Sequence, residues 1–147
     1  MEAYKHILLA ADFTDHGDVV ARRAFDLAQR YQSRLSVVHA VDYLPITDAA
    51  YGPVIPFGVD LAEQLVEAAK TRLAKLGEEL SIPSERQWVE IGSAKLEIVR
   101  IADENEVDLI VLGSHGRHGL GLLLGSTANG VLHHAKCDVM AVRLQND

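Results

Sequence analysis

Short, near-continuous apolar runs alternate along this chain with longer stretches in which apolar residues recur every third or fourth position. The runs HILLAA (His6–Ala11), LSVVHAV (Leu35–Val41) and VDLIVL (Val107–Leu112) predict parallel strands covered on both faces. RQWVEI (Arg86–Ile91) alternates more and predicts a strand nearer an edge, and DVMAVRL (Asp138–Leu144) predicts the last strand. Between them the helical period predicts helices over Val19–Tyr31, Val59–Leu80, Lys95–Glu104 and Ser126–His134. The first carries Val20, Ala24, Leu27, Ala28 and Tyr31 at helical spacing. The second carries a stripe of Leu61, Leu65, Ala69, Leu73 and Leu76, with Asp60, Glu63, Glu67, Lys70 and Arg72 as its solvated face. The third offers Leu96, Val99, Ile101 and Ala102. Strands and helices in strict alternation predict an α/β sandwich with a mostly parallel sheet and right-handed crossovers.

The length of 147 residues fits a single domain spanning 1–147. A chain of this size buries about 70% of its extended surface, so stability requires neither disulfide nor metal. Cys137 is the single cysteine and has no partner within the chain, which suits a reducing, cytoplasmic setting. The opening MEAYKHILLAAD is too short for a membrane span and lacks a signal-peptide layout. A net charge of −7 with no Lys/Arg-rich block argues against nucleic acid as a partner. It does not argue against a small phosphate ligand, which local amides and magnesium hold. The irregular stretch Asp42–Gly58 (DYLPITDAAYGPVIPFG) is long and apolar for a connection. A lid or dimer contact and a plain excursion both remain open for it.

In an open parallel sheet a ligand lies beyond the carboxyl ends of the strands, where the winding reverses. The first strand runs out into Ala10, Ala11, Asp12, Phe13 and Thr14. The second ends in His39, Ala40, Val41 and Asp42, and the fourth in Leu112, Gly113, Ser114, His115 and Gly116. If strands one and four are neighbours, Asp12 and the glycine run face one crevice. Six of the eleven glycines fall between Gly113 and Gly130. Gly113 and Gly116 permit positive φ and let amides approach a bulky anion. Gly125-Ser126-Thr127 then opens a helix whose first-turn amides favour phosphate. The same three residues also read as an ordinary N-cap, and the pattern alone leaves both open.

Other chemistries fit less well. The phosphate loop G-x-x-x-x-G-K-S/T fails, because Leu122-Leu123 follow Gly116 and Gly121. The dinucleotide fingerprint fails at Leu124 and falls after the wrong strand. His115 and His118 have no nearby cysteine or paired carboxylate to complete a zinc site, so no metal site is expected. His133 and His134 suit a helix C-terminus, and His39 reads as a hydrogen-bonded core histidine. Cys137 reads as a small buried hydrophobe. The G-x-S-x-G elbow of serine hydrolases is absent from the sequence.

Three segments, YKHILLAADFTD, SVVHAVD and DLIVLGSHGRHGLGLLLGSTANGVLHHAKCDVMAVR, closely resemble the universal stress protein family, and the likeness covers nearly the whole chain. The family's nucleotide-binding branch carries G-x2-G-x9-G-S/T after its fourth strand. Here Gly113 to Gly116 supply the first part and Gly125-Ser126 the last, with eight residues, Arg117 to Leu124, between them, one short of that pattern. The variable stretch is a loop in which Gly119 and Gly121 add freedom to absorb the difference.

The resemblance implies a Rossmann-like domain with strand order 3-2-1-4-5 and four helices, forming a homodimer through the last strand. It implies ATP, with magnesium, in the crevice described. Ala10, Asp12 and Ala40 would line the adenine and ribose end. Gly113, Ser114, His115, Gly116, Gly125, Ser126 and Thr127 would line the phosphate end. Activation of water lacks an evident second acid, and Arg117 and His118 offer little else to phosphoryl transfer. The expected role is therefore a stress-response switch set by ATP or another adenine nucleotide, with little or no hydrolysis. The alternatives are a dimeric interaction module with a vestigial pocket and a slow ATPase or self-phosphorylating protein.

Overall fold

A computed structural model describes residues 3–14, 17–42, 57–114 and 124–144. The elements run β1 (His6–Ala10), α1 (Gly17–Tyr31), β2 (Arg34–Val41), α2 (Phe57–Leu80), β3 (Gln87–Ile91), α3 (Ala94–Glu104), β4 (Leu109–Gly113), α4 (Ser126–His134) and β5 (Asp138–Val142). A short 3-10 turn, Ser84–Arg86, leads into β3. The five strands form one parallel sheet in the order β3-β2-β1-β4-β5, so β3 is an edge and β1 and β4 are neighbours. The expected sheet, its order and its four helices are all present.

Each face of the sheet has its own core. Ile7, Leu9, Leu35, Val37, Leu109 and Val111 pack under α1 and α2 with Val20, Ala24 and Leu73. Leu8, Ala10, Val38, Ile110 and Leu112 pack under α3 and α4 with Ile98, Ile101, Ala128 and Val131. The split follows from the two-residue period of a strand, which sends alternate side chains to opposite faces. It explains why β1, buried at every residue, reads as an unbroken apolar run.

Strand ends differ from the sequence reading by one or two residues, each for a visible reason. Val107 belongs to the exit of α3, where its amide donates to the Ala102 carbonyl at 2.9 Å. The Asp108 carboxylate accepts from the amides of Lys5 and His6 at 2.8 and 3.0 Å, fixing β4 beside β1. Ala11 still donates to the Val38 carbonyl, but its own carbonyl leaves the ladder for the His39 ring. β5 ends at Val142 because the amide of Leu144 turns to the Ser114 hydroxyl.

Two apolar stripes are shorter than expected. Leu61 and Leu65 are exposed, and the buried stripe of α2 starts at Ala69. A helix of 24 residues spans roughly 36 Å, whereas the eight-residue β2 spans roughly 26 Å, so α2 overhangs the sheet. Leu96 is also exposed, and Ile98 takes the buried position on α3.

At the amino end of β1, His6 is buried among polar partners. Its Nδ1 donates to the Asn105 carbonyl at 3.0 Å, and its Nε2 lies 2.6 Å from the hydroxyl of fully buried Ser36. Burial holds the imidazole pKa below its ordinary 6.5; Arg34 and Arg86 push the same way, against the Asn105 carbonyl and Asp108. The unfolded chain therefore binds a proton more readily than the native one. This stabilisation is complete above pH 6.5 and is lost as pH falls through the lower native value. Urea unfolding between about pH 7.5 and about pH 5.5 is expected to show stability falling with acid, with a shallower fall in His6→Asn. An equal fall in both proteins would contradict this.

Candidate functional site

The carboxyl ends of β1 and β4 lie side by side, and the chain leaves them in two different ways. After β1 it turns sharply through Ala11–Thr14, with Phe13 at φ 57. A non-glycine residue in the left-handed region costs about 1–2 kcal/mol and needs surrounding contacts to hold it. Those contacts are present. Asp12 Oδ1 accepts from the amide and hydroxyl of Thr14 at 3.1 and 3.0 Å. The Phe13 ring lies 4.6 Å from the His39 ring, and the Arg72 guanidinium stands 5.4 Å over it.

After β4 the chain passes through half-buried Gly113 to buried Ser114. The Ser114 amide donates to the Val142 carbonyl at 2.8 Å, and its hydroxyl accepts from the Leu144 amide at 3.2 Å. Its carbonyl accepts from the Gly125 amide at 2.7 Å. Ser114 is thereby pinned to β5 and its exit, and Gly125 to Ser114. His115, Gly116, Arg117, His118, Gly119 and Gly121 lie outside the described residues, as does 43–56 of the irregular stretch.

Gly125 is the N-cap of α4, and no side chain caps the helix among the described residues. Ser126 and Thr127 thus occupy the first two helical positions and neither acts as the cap. The first backbone bond of the helix runs from the Asn129 amide to the Gly125 carbonyl. The amides of residues 126–128 precede it and have no intrahelical acceptor, which makes this end attractive to an anion. Ser126 is exposed and Thr127 half-buried. His133 and His134 occupy the last turn of α4, where a cation complements the dipole.

A cleft of about 220 Å³ opens at the end of β1 and extends between α1 and α2. Leu9, Val20, Ala21 and Leu76 form apolar walls, and Asp12, Asp18 and Arg72 supply charge. Ligand pockets commonly measure about 300–1,000 Å³, so this cleft holds only part of a nucleotide. Ala10, Asp12 and Gly113 of the expected set line it; Ala40 does not. Ala40 shares the face of Val38, under α3 and α4, by strand alternation. The structure therefore gathers Ala10, Asp12 and Gly113 at one cleft and Gly125–Thr127 at the start of α4, on the opposite face of the sheet.

Phe13 and Arg72 were not singled out by the sequence. Arg72 reads there as solvated surface, yet it caps Phe13 at the cleft wall. Spacing along the chain gives no sign of that meeting; only the topology brings α2 over the end of β1. Half-buried His39 bonds to Ala11, as expected of a core histidine. Half-buried Cys137 packs against the α3–α4 core, and burial pushes its thiol pKa up. Among the described residues no three His, Cys, Asp or Glu side chains are grouped to hold a metal. No helix there is long and apolar enough to cross a membrane.

A parallel sheet reversing between β1 and β4, with a glycine-rich exit and an uncapped helix start, is the architecture of a Rossmann-like α/β domain. Residues 3–143 match the model of the universal stress protein family, and the chain belongs to that family. It is 44% identical over 146 residues to universal stress protein A homolog 2 of Coxiella burnetii, covering 99% of each chain. It superposes on the universal stress protein UspA from Lactobacillus plantarum with a TM-score of 0.80 at 28% identity, covering 95% of this chain and 98% of that one. A universal stress protein solved in complex with cAMP shares the fold at 23% identity and a TM-score of 0.62, over 95% of this chain and 97% of that one.

Proposed function

We propose that this chain is a stress-response switch that binds ATP or another adenine nucleotide, with little or no hydrolysis. The start of α4 carries the reading: Gly125 is the N-cap of a helix whose first-turn amides meet no side-chain acceptor among the described residues, beyond the carboxyl end of β4. Those amides and the hydroxyls of Ser126 and Thr127 suit the phosphates. Gly113, Ser114, His115 and Gly116 complete that end in this reading. Ala10, Asp12 and Ala40 take the nucleoside end, with the cleft beside β1 receiving part of it. The bond from the Gly125 amide to the Ser114 carbonyl supports the reading, since it joins the two ends of the loop. Magnesium would be held chiefly by the phosphates and water, as this hard cation prefers.

The reading extends to a cytoplasmic homodimer. β5 is an outer strand of the sheet, and an open strand edge is a template for pairing with another chain. The protein is expected to sediment at twice its chain mass; a single chain mass at high concentration would remove the dimer.

Mass spectrometry of small molecules released by denaturing fresh protein tests the nucleotide. Adenine nucleotide near one per chain is expected, with negligible turnover when ATP and magnesium are supplied. No released nucleotide, and no binding of ATP, ADP, AMP or cAMP on addition, would leave the interaction module instead. Turnover well above the spontaneous rate would make the protein a slow ATPase.

A further inference from the structure

We propose that His39 is a positioning residue of the nucleotide crevice, holding the turn that carries Asp12; the role in binding rests on the nucleotide reading above. β1 leaves the sheet at Ala11, whose amide makes a last bond to the Val38 carbonyl at 2.9 Å. The Ala11 carbonyl faces no strand and is taken by His39 Nδ1 at 2.6 Å. A carbonyl only accepts, so Nδ1 carries the hydrogen in this pair. The same imidazole packs on the Phe13 ring at 4.6 Å with the planes tilted by 53°. Phe13 is the residue of the turn in the left-handed region, and Arg72 lies against it at 5.4 Å. One side chain of β2 thus touches the residues on both sides of Asp12.

Asp12 itself is exposed, and its Oδ1 is tied to Thr14 within the same turn. Among the described residues, His39 is the side chain of the sheet that reaches this turn at both Ala11 and Phe13. A turn held in its bound shape before the ligand arrives spares the ordering cost on binding. His39 serves the site by that route, without touching the ligand.

The test uses the full chain and three variants. His39→Asn retains an amide donor close to the place of Nδ1 but loses the ring. His39→Phe retains the ring and loses the donor, and His39→Ala loses both. ATP titration is expected to show affinity reduced about tenfold in His39→Phe and His39→Ala, and within about threefold of the parent in His39→Asn. Hydrogen exchange supplies a readout that needs no nucleotide. The Thr14 amide is expected to exchange faster in His39→Phe than in the parent, while Leu8 and Ile110 keep their protection. Parent-like affinity and parent-like Thr14 exchange in His39→Phe would overturn the proposal. So would faster exchange across the whole sheet, which would mark a general loss of stability. If the parent binds no nucleotide, the nucleotide reading falls, and the Thr14 exchange alone decides whether His39 holds the turn.

Discussion

Ile110→Asp is expected to leave no folded protein, and Ile110→Ala to lower stability by about 2–5 kcal/mol. Ile110 is the second residue of β4, in register with Leu8 on β1 and Val139 on β5. It is 0% exposed and packs under α3 and α4 with Ile98, Ile101 and Val131. Truncation removes methyl groups from a core whose strands are hydrogen-bonded on both sides and cannot close the gap. A carboxylate there would lose its water without gaining a partner, which few domains of about 5–15 kcal/mol total stability survive. Leu61→Ala is the control. Leu61 is 47% exposed on the overhanging part of α2, and its truncation is expected to change stability by no more than about 0.5 kcal/mol. Urea denaturation separates the two. Equal losses at both positions would mean that the two-layer core is misassigned.

Ser126→Glu is expected to weaken ATP binding by at least about 100-fold, equivalent to about 2.8 kcal/mol, while leaving the melting temperature unchanged or raised. The two readouts part because one feature acts on both. A carboxylate in the first turn of α4 meets the positive end of the helix dipole, which contributes about 0.3–1 kcal/mol of stability. The same charge occupies the place proposed for phosphate and repels it. Ser126 is exposed, so the substitution meets no steric obstacle in the free protein. Calorimetric titration and a thermal melt of the same sample check both halves. Undiminished affinity would remove the start of α4 from the site. Loss of affinity together with loss of fold would mean that the serine serves structure.

Much of the fold was legible because β1, β2 and β4 are buried on both faces, which writes an unbroken apolar run into each. The helical stripes were legible in kind but not in extent. Periodicity shows that Leu61, Leu65 and Leu96 lie on an apolar face, but not whether that face reaches the sheet. Strand ends were blurred because the amide of Val107 turns back to the exit of α3 and that of Leu144 to the Ser114 side chain, neither of which an apolar run reveals. In the site, the glycine run and Asp12 stood out because a small residue or a carboxylate at a strand end is conspicuous. The pattern at Gly125–Thr127 left open which residue caps the helix, since a cap and an anion site ask for the same residue types; Gly125 is the cap, and Ser126 and Thr127 lie inside the helix. Phe13 and Arg72 stayed hidden because aromatic and cationic side chains have ordinary uses everywhere, and their meeting depends on the packing of α2 over β1.

The most direct test of the nucleotide crevice is an amide NMR titration of the labelled chain with ATP and magnesium. Shifts are expected at Ala11–Thr14, at Gly113 and Ser114, and at Gly125–Ala128, the residues that surround the adjoining ends of β1 and β4. The amides around His6, Asn105 and Asp108, away from those ends, are expected to stay in place. Shifts confined to other surfaces, or none at saturating ATP, would contradict a nucleotide site at this end of the sheet.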